Sequence, residues 1–327
     1  MKNFQLTPPD DPLYVVRKSD SALERALQEG SRLIRITGPP RTGKSALLSR
    51  ALQSLANAGQ RVVLLNLAAA DPAHLEATEP VCRFVMRETA RQLGLPAPFK
   101  ADADSPNWEI QRSPFTNLER YLRRNVLPAE APPFHLCWDA GERLAASTPG
   151  EEMDGLLRSW CGEAALYPVG CRHPFSIVAA NGNLSIGEAF GGLERYSDTF
   201  NVGIRIEAGS LTPDELRDLN RRGGWLKEGD ELERFHRLFG GQPYLVRIAL
   251  EFLRERGGGL AALEAMADDP HAPWAGFLDQ LGRQLDTVPE ARQFVGDLLA
   301  GRPPAATASS WKGCWRAGGC PGLVTRC

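Results

Sequence analysis

One short stretch limits this chain more than any other: "GPPRTGKSALL", which begins at Gly38 directly after the apolar run "RLIRIT". It reads G-x-x-x-x-G-K-S, the pattern of a phosphate-binding loop between a strand and a helix. Gly38 and Gly43 permit the tight turn and let backbone N–H groups approach an anion. Lys44 reaches the β/γ-phosphates and Ser45 offers a hydroxyl to Mg²⁺. The helix that follows, from Ala46 to Leu55, aims its positive N-terminus at the same anion. The candidate ligand contacts are therefore Gly38, Pro39, Pro40, Arg41, Thr42, Gly43, Lys44, Ser45 and Ala46, with ATP or ADP and Mg²⁺ as cofactors.

The flanking sequence supplies a sheet for this loop. "RVVLLNL" is a near-continuous apolar run, as expected of a parallel strand buried on both faces. "PFHLCWD" makes a third strand ending at Asp139, "FSIVAAN" a fourth ending at Asn181, and "TFNVGIRIEA" a last one. Helical patterns lie between them: from a cap at Ser19 or Asp20 to Gln28, stopped by Gly30; Val81–Leu93; Phe115–Asn125; and "EEMDGLLRSWCGEA". Strands alternating with helices indicate βαβ units and a parallel sheet. Beyond Leu211 the pattern is all helical, opening on Thr212 as cap and Pro213 at the first helical position. After "FGGQPYLVRIALEFLRERGGG" and "FLDQLGRQLDT" the helices are expected to end. The predicted fold is α/β: a P-loop NTPase core with a parallel sheet flanked by helices over residues 1–207, an all-α lid over 208–300, and an irregular tail over 301–327.

Composition narrows the partners. The 327 residues carry a net charge of −2, so no global basic footprint for nucleic acid exists. "LNRRGGW" is a short local cluster, so nucleic acid is disfavoured as a partner without being ruled out. No run of about 18 apolar residues suggests a membrane span. The opening "MKNFQLTPPDDPLYVV" lacks a signal-peptide pattern, and a cytoplasmic protein is expected. The seven cysteines include no C-x-x-C pair, and their odd number argues against a disulfide framework. Cys161, Cys171 and His173 lack zinc-ligand spacing and read as a helix thiol and two loop residues.

Three further positions carry chemistry. Asp139 closes its strand where P-loop enzymes hold the Mg²⁺ shell, which makes Ser45 and Asp139 the candidate metal contacts. In hydrolytic relatives a glutamate follows and orients the attacking water; here Ala140 follows, whose methyl group can do neither. Glu142, in "DAGERL", is the nearby substitute. Asn181 either touches the γ-phosphate or attacking water or simply forms the turn in "ANGN". Arg158 and Arg172 are candidate charge-stabilising arginines, with surface solvation as the plain alternative. In "FGGQPYLVR", Gly240 and Gly241 end one helix and Pro243 begins the next. The functional reading has Pro243 and Tyr244 folding over an adenine.

"YVVRKSD", "GPPRTGKSAL", "CWDAGERL", "LLRSWCGEA", "TFNVG" and "GGQPYLVR" occur in one order over roughly residues 10–300, and together they resemble the bacterial AAA-like domain family. That family is related to the signal-transduction ATPases with numerous domains (STAND) and to the origin-recognition branch of AAA+ proteins. The resemblance implies an ATPase core, a helical lid and a nucleotide-controlled switch in bacterial signalling or conflict systems. It also implies a protein effector or sensor partner and leaves a homo-oligomer open. By position, Val16 and Arg17 match the segment that contacts the base, and Pro243 matches the lid proline. Ala140 and the pair Ala180–Asn181 depart from the family pattern, which implies slow hydrolysis. The alternative function is a DNA-associated AAA+ regulator of replication or transposition.

From Ala306 the apolar period is lost, while three of the seven cysteines and two of the seven tryptophans accumulate. Written in GC-rich codons and read two bases on, the stretch from Ala306 to Arg316 gives "DRQQLEGLLA", a helical pattern. A frameshifted end is the expectation.

Overall fold

Residues that alternate along a strand point to opposite faces of a sheet, so the apolar runs decide what each face must bury. The structure is a computed structural model that describes residues 11–99, 107–127, 131–145, 148–162, 175–180, 203–286 and 288–300. Among the described residues five strands form one sheet: β1 (Leu33–Thr37), β2 (Arg61–Asn66), β3 (Phe134–Asp139), β4 (Phe175–Ala180) and β5 (Ile204–Glu207). Their order is β2-β3-β4-β1-β5 and every pairing is parallel. The chain runs from β1 to β2 at one edge and later crosses past β1 to β5 at the other. β1 thus lies where the winding reverses, and open α/β sheets bind ligands beyond the C-terminal ends of such strands.

The two faces sort their side chains by parity. Ile34, Ile36, Leu64, Cys137, Val178 and Ile206 point to one face, where α1 (Lys18–Gln28) and α2 (Lys44–Asn57) cover them with Leu23, Ala26, Leu47, Leu48 and Leu52. Leu33, Val63, Leu65, Phe134, Leu136, Trp138 and Ile177 point to the other. That face is covered by α3 (Thr78–Leu93), α4 (Pro114–Tyr121) and α6 (Thr148–Gly162), with the four-residue α5 (Glu142–Ala145) between β3 and α6. Each buried Leu, Ile or Phe contributes about 1.5–3 kcal/mol by leaving water. α4 runs on as a single π turn, Leu122–Val126, where the sequence pattern predicts an uninterrupted helix to Asn125.

Past β5 the described chain is helical: α7 (Pro213–Gly223), α8 (Asp230–Phe239), α9 (Pro243–Arg256), α10 (Gly259–Ala265), α11 (Ala275–Asp286) and α12 (Pro289–Leu299). Thr212 and Glu215 close a reciprocal capping box at the start of α7, at 3.2 and 2.8 Å. The expected end of the helices after "FLDQLGRQLDT" is corrected by α12, which packs on α11 and buries Phe294. α1 also differs from expectation. It begins at Lys18 with Arg17 at the N-cap, because the Asp20 carboxylate reaches back to the Arg17 N–H at 2.9 Å.

A separate core holds the helices together: Leu216, Leu219, Phe235, Phe239, Leu245, Leu250 and Trp274 among others. Leu13 and Val15, from the segment before α1, lie in that core rather than under the sheet. Asp11 pairs with Arg247, and the Tyr14 carbonyl accepts from Arg222 Nη1 at 2.9 Å. The first described residues are therefore a strap from the helical layer to the sheet. No helix among the described residues is long and apolar enough to cross a membrane. Residues 301–327, on which the frameshift expectation falls, lie outside the described residues.

His135 is buried in the middle of the sheet at 5% exposure. Its Nε2 meets Gln60 Oε1 at 2.5 Å, an oxygen that can only accept, so the ring proton sits on Nε2 and Nδ1 accepts from Ser176 Oγ at 2.6 Å. Burial pushes the ring's pKa down from 6.5 to about 4. The unfolded chain takes up the proton first as pH falls, so this contribution is complete above pH 6.5 and declines towards pH 4. The total loss should be about 3 kcal/mol. Urea midpoints measured across that range should fall more steeply for the wild type than for His135→Gln; parallel curves would contradict this assignment.

Candidate functional site

The loop between β1 and α2 is built where two backbones nearly touch. A Cβ on Gly38 would come within 2.3 Å of the Ala208 carbonyl oxygen, and Gly43 sits at φ 87° with Arg17 Nη2 only 3.2 Å from where its Cβ would be. No larger residue fits at Gly38. Among the described residues, the two non-glycine residues at positive φ are Arg41 (60°) and Ala140 (58°), and both flank this site. Such backbone costs about 1–3 kcal/mol at each position and concentrates where function requires it.

Each carbonyl of the loop has a donor. Gly38 O and Pro39 O accept from Lys44 Nζ at 3.0 and 2.7 Å, and Pro39 O also accepts from Thr42 Oγ1 at 2.8 Å. Pro40 O and Arg41 O accept from Gln242 Nε2 at 3.4 and 3.3 Å. Thr42 O accepts from Arg17 Nη1 at 2.8 Å, and the same nitrogen bonds Gly209 O at 3.1 Å. Gly43 O accepts from Leu47 N within α2 at 2.9 Å.

A peptide is planar, with its C=O and N–H pointing in opposite directions. Holding these carbonyls therefore turns the following N–H groups the other way. The N–H groups of Arg41, Thr42, Gly43, Lys44 and Ser45 have no acceptor among the described residues. The first turn of α2 contains no acidic side chain, so nothing of its own neutralises the helix's positive end. Such an arrangement suits an anion.

Beside it, Ser45 Oγ donates to Asp139 Oδ1 at 2.8 Å, and the Ala140 N–H donates to the same oxygen at 3.1 Å. Burial raises the Asp139 pKa; those two hydrogen bonds oppose the shift, the charge of Glu142 adds to it, and Lys44 opposes it. Burial lowers the Lys44 pKa, against the charges of Glu142 and Asp139. The charge of Glu142 is therefore felt at both groups. Arg143 fixes this turn through the carbonyls of Leu67, Ala68 and Ala70, at 2.5, 2.9 and 3.3 Å. An ammonium, a row of amides without acceptors among the described residues and a hydroxyl–carboxylate pair form a donor set that fits a nucleotide's phosphates and a hard divalent cation.

The remaining candidates separate. Val16 is 62% exposed, while Arg17 is buried against the loop and Gly209. Pro243 opens α9 behind the N-cap Gln242. Beside it, the Arg41 guanidinium sits 4.2 Å from the Tyr244 ring centroid. Asn181 and Arg172 lie outside the described residues, as does the side chain of Arg158. Sequence reasoning missed Gln242 and Arg143. Gln242 had a legible signal, since a polar residue ahead of a helix-opening proline is a capping position.

The sequence profile of the AAA-like domain family matches residues 3–307. The chain belongs to that family. Among solved structures, this AAA-like domain protein is similar to the Walker-type ATPase PABY2304 of Pyrococcus abyssi, at 16% identity over 98% of each chain with a TM-score of 0.57. It is also similar to the ORC2 protein of Aeropyrum pernix in its ADPNP–ADP complexes, at 14% identity over 92% of this chain and 77% of that one, TM-score 0.46. A third similar structure is AMPPCP-bound DnaA from Aquifex aeolicus, at 12% identity over 95% and 80%, TM-score 0.45. No curated protein sequence matches the chain.

Ala140 at φ 58° is held in a backbone region that glycine adopts without strain. Ala140→Gly should therefore stabilise the AAA-like domain by about 1 kcal/mol in urea unfolding. A loss of stability would contradict this backbone geometry.

Proposed function

We propose that this AAA-like domain binds ATP with Mg²⁺ beyond the C-terminal end of β1 and acts as a slowly hydrolysing switch. The observation that carries this reading is the loop itself, with its carbonyls held by Lys44, Gln242 and Arg17 and its amides left for an anion. Lys44 and the N–H groups from Arg41 to Ser45 would hold the phosphates, and Ser45 with Asp139 would hold the cation. A Mg²⁺ ion held there would neutralise the phosphate oxygens. Lys44 now rests on two neutral carbonyls, and an anion in the cradle is a stronger partner for a buried ammonium. The fold likeness to a Walker-type ATPase agrees with this assignment.

Ala140 offers no group to orient water, so the task falls to Glu142, whose charge already bears on Lys44 and Asp139. A base displaced from the position directly after Asp139 is the reason for slow turnover. The helical layer from residue 208 acts as the lid of the core that ends at 207. A ligand shifts such a pair only through unequal contacts with two states, and the γ-phosphate supplies that inequality. A protein effector or sensor would read the lid position, in a bacterial signalling or conflict system.

Lys44→Ala should abolish ATP binding in a calorimetric titration, and unchanged affinity would remove the site. Glu142→Gln should lower steady-state ATP turnover roughly 100-fold, the usual scale of a general base, while ATP affinity is retained. Equal turnover by the two proteins would assign the base elsewhere.

A further inference from the structure

The helical layer meets the phosphate loop through a residue with two tasks. Gln242 is the N-cap of α9, and its Oε1 accepts from the Leu245 N–H at 2.8 Å. Its Nε2 faces the carbonyls of Pro40 and Arg41. A backbone donor on one side and two backbone acceptors on the other leave a single sensible orientation for the amide. Gln242 is 4% exposed, so the amide cannot turn to water instead.

Which loop donors depend on it follows from the sequence. The peptides whose carbonyls Lys44 holds, those of Gly38 and Pro39, lead into Pro39 and Pro40, which have no N–H. The first N–H groups that the loop can offer belong to Arg41 and Thr42. Their orientation is set by the Pro40 and Arg41 carbonyls, which are the two that Gln242 holds. The Gly43 N–H is set in the same way by Arg17. Around Gln242 the same contact is braced by side chains. The Arg41 guanidinium lies 4.2 Å from the Tyr244 ring centroid and 4.9 Å from that of Phe277, and Arg41 Nη2 is 3.4 Å from Gln280 Oε1. Tyr244 and Phe277 are themselves 5.3 Å apart, edge to face, in the helical core.

We propose that Gln242 is a positioning residue for the phosphate loop: its side-chain N–H aims the Arg41 and Thr42 amides at the anion, so that anion capture and the seating of α9 on the loop are one event. This rests on the nucleotide reading above and names how the helical layer would sense the ligand. An anion bound by these two amides polarises their peptides and strengthens both bonds to Gln242. Conversely, an α9 lifted from the loop frees both peptides to turn.

The test uses the full chain with Mg²⁺–ADP as the probe and compares the wild type with Gln242→Ser. Serine keeps the helix cap but is too short to reach the loop. The expected result is a melting temperature near that of the wild type with ADP bound at least about 10-fold more weakly, the scale of one charge-assisted hydrogen bond. Hydrogen exchange in residues 243–256 adds a readout that a mere cap would not move. ADP should slow exchange there in the wild type and not in Gln242→Ser at saturating ADP. If Gln242→Ser does not fold, Gln242→Glu is read in the same way, since it keeps an oxygen for Leu245 and turns the other end from donor to acceptor. Equal affinity together with equal ADP protection of 243–256 overturns the proposal alone. A wild-type chain that binds no ADP overturns the nucleotide reading and this proposal with it.

Discussion

A loop that turns its N–H groups towards one point must turn its carbonyls away from it, and buried carbonyls need donors. Everything distinctive in this AAA-like domain follows from where those donors come from. Lys44 lies at the start of α2, Arg17 precedes α1, and Gln242 opens α9 in the helical layer. Three distant parts of the chain must be in place before the loop has its shape. The cradle is thus a product of tertiary structure, although its sequence pattern is local.

The sheet contributes the floor of this arrangement. Ala208, just past β5, presses its carbonyl on Gly38, while Asp139 at the end of β3 reaches Ser45 from the side. Both contacts need β1 to sit between β4 and β5 with β3 one strand further, which is the order observed. The positive φ at Ala140 and Arg41 is the local strain of this packing, set at the turn after Asp139 and in the loop. Burial disfavours the charged form of both Lys44 and Asp139, lowering one pKa and raising the other, and each favours the charged state of the other.

Much of this was readable in the residues. The strands were legible because parallel strands covered on both faces need unbroken apolar runs, and "RVVLLNL" and "PFHLCWD" are such runs. Thr212–Pro213 and Gly240–Pro243 were legible because caps are local chemistry. The places of the loop between β1 and α2 and of Asp139 at the end of β3 were legible because an apolar run precedes each. Arg17 and Gln242 were not, in the role the structure gives them. A side chain that serves a distant carbonyl leaves no periodicity, and nothing in the segment around Arg17 announces its bonds to the Thr42 and Gly209 carbonyls. The contact of Tyr244 with Arg41 was illegible for the same reason: the two lie some two hundred residues apart. The π turn at Leu122–Val126 has no composition that separates it from an ordinary helix end.

The strap before α1 has a consequence for how the chain reaches its native state. Arg17 bonds a carbonyl 192 residues away, Arg222 reaches Tyr14 across 208, and Asp11 meets Arg247 across 236. Contacts of such sequence separation close last, because their loop entropy must be overcome before they contribute. During synthesis the sheet residues up to Glu207 can pair while Leu13 and Val15 still lack the helices that bury them. The phosphate loop then waits, with its carbonyls only partly held, until Gln242 has emerged. Maturation of the site therefore coincides with completion of the helical layer, and a chain interrupted before α9 carries the loop's sequence without its cradle.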